Sequence, residues 1–172
     1  MTFCHLHVHS EYSFLDGLAR IEPLVHRTRD LGMSSIALTD HGGLWGIVPF
    51  YKTCLEAGIK PILGCEVYLV DNCLQKKGRE TPYHLVLLAE TNEGYKNLVK
   101  LVTKAQLKGF HYKPRLDKAL LARYSSGLIA LSGCSQGEIP HQLLAGKWEK
   151  AQDLAREYRD IFGPQNFFLE LQ

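Results

Sequence analysis

Six short apolar runs rich in β-forming residues, Phe3–Val8, Ser35–Thr39, Pro61–Val70, Tyr83–Ala89, Leu128–Leu131 and Phe167–Leu171, punctuate the chain. Between them apolar residues recur at helical spacing, so strand and helix follow one another along the sequence. Leu24, Thr28 and Leu31 mark one helix, and Ile47, Phe50, Tyr51 and Cys54 a second that Gly58 stops. Thr91 caps a third, with a stripe of Leu98, Leu101, Val102 and Ala105. A fourth carries Trp148, Ala151, Leu154, Ala155, Tyr158 and Phe162 ahead of Gly163-Pro164. This alternation predicts an α/β fold with a largely parallel sheet or barrel, in which the loops that follow the strands carry the chemistry.

With 172 residues, 45% of them hydrophobic, the chain suits one globular domain with a real core. No linker, repeat or low-complexity tract divides it, and the polar stretch Asp71–Thr81 reads as an exposed loop. No apolar run is long enough for a bilayer, and the histidines at 5, 7 and 9 do not suit a signal peptide, so no membrane partner and a cytoplasmic location are expected. Five cysteines, an odd number without a CxxC pair, argue for reduced thiols rather than a disulfide framework or zinc ribbon. A formal charge of +2 neither demands nor excludes nucleic acid.

Histidine is the most informative residue type, because three of the eight lie in the first nine positions. His7 and His9, two apart on an extended run, project from one face and can grip one ion or two neighbouring ones. His5 shares that face, and reads as structural. Thr39-Asp40-His41-Gly42 ends the second run with an acid, an imidazole and glycines that permit a tight turn; alone it is equally an ordinary turn. Glu66 interrupts the apolar run Ile62–Tyr68. A carboxylate there needs a partner or a metal if it faces the rim, where it can bridge two cations, and has no meaning on a solvent-facing edge. His84 opens the fourth run and Cys134 follows the fifth, each weak evidence by itself.

The ordered set His-Leu-His-Val-His-Ser, Tyr12–Gly17, Leu38–Gly42, Leu63–Glu66 and His84 with Leu87-Leu88-Ala89 resembles the polymerase and histidinol phosphatase (PHP) superfamily. Gly58–Pro61, Tyr112–Arg115, Ser132–Cys134 and Phe168–Gln172 narrow the resemblance to the N-terminal PHP domains of bacterial replicative DNA polymerase III alpha subunits, with all of residues 1–172 as one PHP domain. The resemblance implies a distorted (β/α) TIM-like barrel with up to three zinc, manganese or iron ions at its rim. His7 and His9 would hold the first ion, Glu66 would bridge it to a second held by His84 and Cys134, and Asp16 and His41 would hold the third. A thiolate at Cys134 favours zinc. Asp40 would orient the neighbouring imidazole rather than ligate.

The implied activity is metal-dependent phosphoester hydrolysis within a DNA-directed DNA polymerase, including 3′-to-5′ exonuclease proofreading, with DNA and the other polymerase III holoenzyme subunits as partners. Lys113 and Arg115, beside Phe110, His111 and Tyr112, are candidates to touch a phosphate backbone and stack on a frayed base. Relatives of this family complete the site with an Asp-x-His pair that does not follow Cys134 here, and His141, in Glu138-Ile139-Pro140-His141, reads as a surface helix residue. A barrel truncated before its last strands, with weak or no activity in this piece, is therefore expected. Two other readings remain: an inert module that stabilises the polymerase or docks a partner, and a free-standing phosphatase of the histidinol-phosphate kind.

Overall fold

A computed structural model describes residues 3–14, 16–75 and 81–171. Among them the elements run α1 (Ile21–Asp30), β1 (Ser35–Leu38), α2 (Ile47–Glu56), β2 (Lys60–Leu69), β3 (Tyr83–Ala89), α3 (Asn92–Leu107), β4 (Phe110–His111), β5 (Lys113–Leu116), α4 (Lys118–Tyr124), β6 (Leu128–Leu131), α5 (Glu138–Leu144), α6 (Trp148–Phe162) and β7 (Phe167–Phe168). Leu15, Gln172 and residues 76–80 of the expected Asp71–Thr81 loop lie outside the described residues.

The strands form one sheet in the order β4-β5-β2-β3-β6-β7, with β1 paired to β2. It is mixed rather than largely parallel. β1 and β2, joined by α2, are parallel as a helical crossover requires, and so are β6 and β7, joined by α5 and α6. No helix among the described residues separates β2 from β3, which run antiparallel; β3 and β6 are antiparallel as well, although α3 and α4 lie between them in the chain. The first apolar run is also not a strand. His5 accepts from the Ala37 amide and Val8 from the Thr39 amide, three residues apart on one side and two on the other. The extra residue breaks the ladder as a bulge does, and the Thr39 hydroxyl, bonded to both Val8 backbone groups, holds the segment beside β1. The last run keeps strand pairing only at Phe167–Phe168.

Side chains alternate along β3 between two apolar environments. Leu85 and Leu87 join Leu98, Leu101, Leu121, Leu128 and Tyr158 beneath α3, α4 and α6, whereas Val86 and Leu88 join Ala37 and Leu131 on the inner face. A second core of Val25, Ile36, Leu38, Phe50 and Cys54 seats α1 and α2. The expected stripes hold for α3, capped by Thr91, which accepts from Gly94 N–H at 3.0 Å. In α6, however, Trp148 is exposed because it stands at the first helical position, beyond the packed face. In α1 the buried face is Ile21, Val25 and Thr28, with Leu31 beyond the helix end and exposed. Gly58 closes α2 in the left-handed region at φ 71°.

The inner face changes character along its length. At one end Ile62, Leu88, Ile129 and Leu131 help to line an open cleft of about 760 Å³ beside Phe3 and Phe168–Leu171. At the other, Glu66, Tyr68 and His84 occupy the same face, since Glu66 pairs with Val86 and Tyr68 with His84 across the ladder.

Candidate metal centre

Glu66 is the hub of that second end. It lies inside β2, 1% exposed, with β3 on one side and a bridge to His41 on the other. His9 Nε2 approaches its Oε2 at 2.8 Å, His41 Nδ1 at 3.0 Å and His7 Nε2 at 3.4 Å. His84 Nδ1 donates to Oε1 at 2.8 Å, and Cys134 Sγ lies 3.9 Å from the same oxygen and 3.7 Å from His84 Nδ1. These groups arrive from the bulged first segment, the turn after β1, the start of β3 and the turn after β6. β3 contributes from its beginning because it runs against β2. The turn after β1 needs Gly42, whose φ is 59° and whose added Cβ would lie 2.6 Å from Pro114 Cγ.

A second group opens outward. His41 Nε2 donates to Asp16 Oδ2 at 2.8 Å, and His9 Nδ1 lies 3.7 Å from Asp16 Oδ1. The Asp16 side chain is 52% exposed, whereas those of His9 and His41 are 19% and 16% exposed. Three donor sets therefore share members: His7, His9 and Glu66; His9, Asp16 and His41; His41, Glu66 and His84. Each set has its ligand atoms within 4.8 Å of one another. The first groups the residues expected around the first ion, the second adds His9 to Asp16 and His41, and the last has His41 rather than Cys134 beside Glu66 and His84.

The donor chemistry fits cations. Three imidazole nitrogens lie within 3.4 Å of Glu66 Oε2, yet this oxygen and His41 Nδ1 are buried without a properly directed hydrogen bond. Buried polar atoms aimed at a shared point but not bonded to one another are the arrangement a positive ion satisfies. In the metal-free chain protons take over part of that role. Burial alone would lower the His7 pKa, but Glu170 and Glu66 outweigh it and raise it to about 9. His41 shows the same opposition, with Glu66 and Asp16 raising its pKa against burial. For Glu66 burial pushes upward, and the facing imidazoles hold it well below the usual carboxylate range. Burial pushes the Cys134 thiol up, which leaves it protonated unless a metal displaces the proton.

The remaining candidates separate. Asp40 does not orient the His41 imidazole: its carboxylate accepts from Ser10 N–H at 2.7 Å and from the Ser10 and Ser13 hydroxyls at 2.8 Å each. Ser13 Oγ then accepts from the His41 backbone amide at 3.1 Å, so Asp40 shapes the loop that carries Asp16. Arg115 cannot reach a nucleic acid. It is 1% exposed, and its guanidinium donates to the carbonyls of Gly109, Cys73 and Gln75. Lys113 is exposed, with its ammonium 4.2 Å from the centroid of the Tyr68 ring, which stacks on His41 at 5.6 Å. His5 is exposed with its ring against Phe3, and His141 is an exposed residue of α5. Ser10 and Ser13 carried no signal beyond their place in a motif, and neither did Glu170, whose Oε1 accepts from His7 Nδ1 at 2.8 Å.

The family model for the PHP domain matches residues 5–172, and the chain belongs to that family. Its elements form a mixed α/β sheet. The chain is 45% identical, over its whole length, to the DNA polymerase III subunit alpha of Treponema pallidum, and 47% identical over 99% of its length to that of Borreliella burgdorferi. It spans about 15% of the length of these relatives. Among solved structures, a two-domain protein from Bacteroides vulgatus containing a predicted PHP-like metal-dependent phosphoesterase aligns at a TM-score of 0.48 and 16% identity, covering 90% of this chain and 41% of that one. An amidohydrolase from Chromobacterium violaceum aligns at 0.44 and 18%, covering 91% and 49%.

Proposed function

We propose that the chain is the N-terminal PHP module of a bacterial replicative DNA polymerase and that its centre hydrolyses phosphodiesters at the 3′ end of DNA. The observation that carries this reading is one buried carboxylate, Glu66, faced by four imidazoles with no apolar residue between them. Zinc, manganese or iron, up to three ions, would occupy the overlapping donor sets, with His7, His9 and Glu66 on the first, Glu66, His84 and Cys134 with His41 on the second, and Asp16 and His41 with His9 on the third. When bound, such ions supply Lewis-acid activation of water and neutralise charge on the phosphoryl oxygens. The chain's own residues do the rest. Glu66 and His84 fix the floor of a recess of about 260 Å³, Asp40 fixes the loop bearing Asp16, and Lys113, outside the recess over the Tyr68 ring, offers an ammonium to a phosphate nearby. A recess of that size admits a phosphate and its sugar rather than a duplex, which favours a strand end.

DNA and the other subunits of a polymerase III holoenzyme are the proposed partners. A cytoplasmic location follows from that role, and among the described residues no helix is long and apolar enough to cross a membrane. The test is metal content by elemental analysis together with 3′ release from single-stranded DNA in manganese or zinc. Metal-dependent release by a polymerase chain that carries this domain, abolished by His9→Ala, is the expected result; such a polymerase that retains no metal at this centre and releases nothing sinks the proposal.

The open cleft beside Ile62, Leu88 and Leu131 favours a second reading, in which the domain serves by packing against other polymerase segments or a subunit. Intact polymerase assembly with His9→Ala, and loss of assembly with Leu88→Asp, would support that reading.

A further inference from the structure

We propose that Glu170 is a positioning residue of the metal centre, fixing the ring of His7 so that Nε2 faces the ion, and that metal loading thereby tightens the segment after β7. The inference rests on the metal-centre reading above. The two nitrogens of His7 are divided between different neighbours. Nε2 faces His9 Nε2 at 3.2 Å and Glu66 Oε2 at 3.4 Å, on the inside of the cluster. Nδ1, on the other side of the ring, donates to Glu170 Oε1 at 2.8 Å. A carboxylate that accepts from one ring nitrogen settles which nitrogen is left to bind metal and makes it a stronger donor.

Glu170 is itself held in place. Its backbone N–H donates to the buried Ser132 hydroxyl at 2.9 Å, and the Ser132 amide donates to the Phe168 carbonyl at 3.0 Å. The Glu170 side chain is only 12% exposed. By contrast its neighbours Phe168, Leu169 and Leu171 are exposed, so apolar burial contributes little to seating this stretch. Among its anchors are the Ser132 bonds and the His7 contact, which joins positions 163 residues apart. An ion on His7 then acts at both ends of the hydrogen bond. It holds the imidazole still, and a fixed imidazole holds Glu170. By reciprocity, whatever metal adds to the seating of Glu170, Glu170 adds to the binding of metal.

The experiment compares the chain with Glu170→Ala and Glu170→Gln. Zinc affinity is measured by competition with a chromophoric chelator, and backbone hydrogen exchange is followed over residues 167–171 with and without zinc. Glu170→Ala should weaken zinc binding by about 10- to 100-fold. Glu170→Gln, which keeps an acceptor for the Nδ1 proton, should recover most of the loss. Zinc should slow exchange over 167–171 in the unaltered chain and not in Glu170→Ala. ¹⁵N NMR of the zinc-loaded unaltered chain provides a measurement that needs no variant to fold: His7 should carry its proton on Nδ1. Unchanged zinc affinity in Glu170→Ala, a Glu170→Gln chain as weak as Glu170→Ala, or an Nε2 proton on His7 would each overturn the proposal while leaving the metal centre intact. An unaltered chain that binds neither zinc nor manganese would remove both.

Discussion

The two sides of the metal centre are built by opposite means. On the inner side Glu66 and His84 are buried on adjacent strands, and their positions follow from the β2–β3 register, in which Tyr68 faces His84 and Glu66 faces Val86. On the outer side Asp16 is half exposed on a loop, and its position depends on the hydrogen bonds that Asp40 accepts from Ser10 and Ser13. The inner groups are so placed by the sheet that a carboxylate and imidazoles face one another within 3.4 Å. The outer groups retain access to water. An ion on the inner side replaces protons already forced together, whereas one on the outer side replaces solvent, so the inner positions should dominate affinity and the outer ones should tune it.

The largest effect expected is therefore from Glu66→Gln, which removes the charge common to two donor sets. Zinc or manganese affinity should fall by more than about 100-fold, beyond what loss of a supporting contact produces. Elemental analysis after dialysis checks this, and an unchanged metal content would show that the hub is not Glu66. Asp40→Ala comes next, acting on stability first. It leaves the Ser10 amide and two hydroxyls without their acceptor in a buried setting, at a cost of about 3 kcal/mol. For a chain of this length that is a drop in melting temperature of roughly 6–12 °C, and metal binding at the Asp16 side should weaken with it.

A third prediction uses pH to separate protons from metal on the inner side. The folded-state pKa of His7 is raised from 6.5 to about 9. A raised pKa contributes stability that is fully present below the unfolded value of 6.5 and is lost as pH rises through about 9. In chelator the chain should lose about 1–3 kcal/mol between pH 6.5 and 9.5, seen as a falling melting temperature. With saturating zinc the proton is displaced, and that fall should vanish. A melting temperature in chelator that stays flat across this window would mean that His7 carries no shared proton.

The same contrast explains what the sequence made legible. Groups that interrupt or end apolar runs were readable, because a histidine pair ending such a run, an Asp-His-Gly turn and a carboxylate inside an apolar strand each violate the local pattern. His7, His9, His41 and Glu66 converge accordingly. Groups fixed by tertiary contact were not. Glu170 meets His7 only because the first segment and the residues after β7 come together, and nothing local marks it. Arg115 read as a phosphate-contacting cation beside Lys113, yet three carbonyls from two separate loops enclose it. Sheet direction was misjudged for a related reason: alternation suggested helical crossovers throughout, and β3 runs against both of its neighbours. Pro114 likewise concealed the β4–β5 hairpin, where it sits in the outer pair of strands opposite Phe110.

Asp16→Asn tests the outer side alone. It should reduce bound metal by about one ion per chain, since a third donor set falls below the three ligands an ion needs, and leave the sets built on Glu66 occupied. Loss of every ion would erase the distinction between the two sides.

The smallest effect belongs to Lys113, which touches none of the donor atoms. Its ammonium rests 4.2 Å from the Tyr68 ring centroid, at the edge of the His41 stack, a position from which it can attract a phosphate without altering how metal is held. Lys113→Ala should raise KM for single-stranded DNA by about 3- to 10-fold, with kcat within about twofold, because a surface cation supplies attraction rather than chemistry. Removing one phosphate contact should also flatten the dependence of log KM on log salt by about 0.7. Lys113→Arg, which retains charge and can lie over the same ring, should restore both. If kcat falls instead while KM and the salt slope hold, Lys113 acts on the transition state, and the boundary between a chemical interior and an electrostatic lip has to be moved outward to include it.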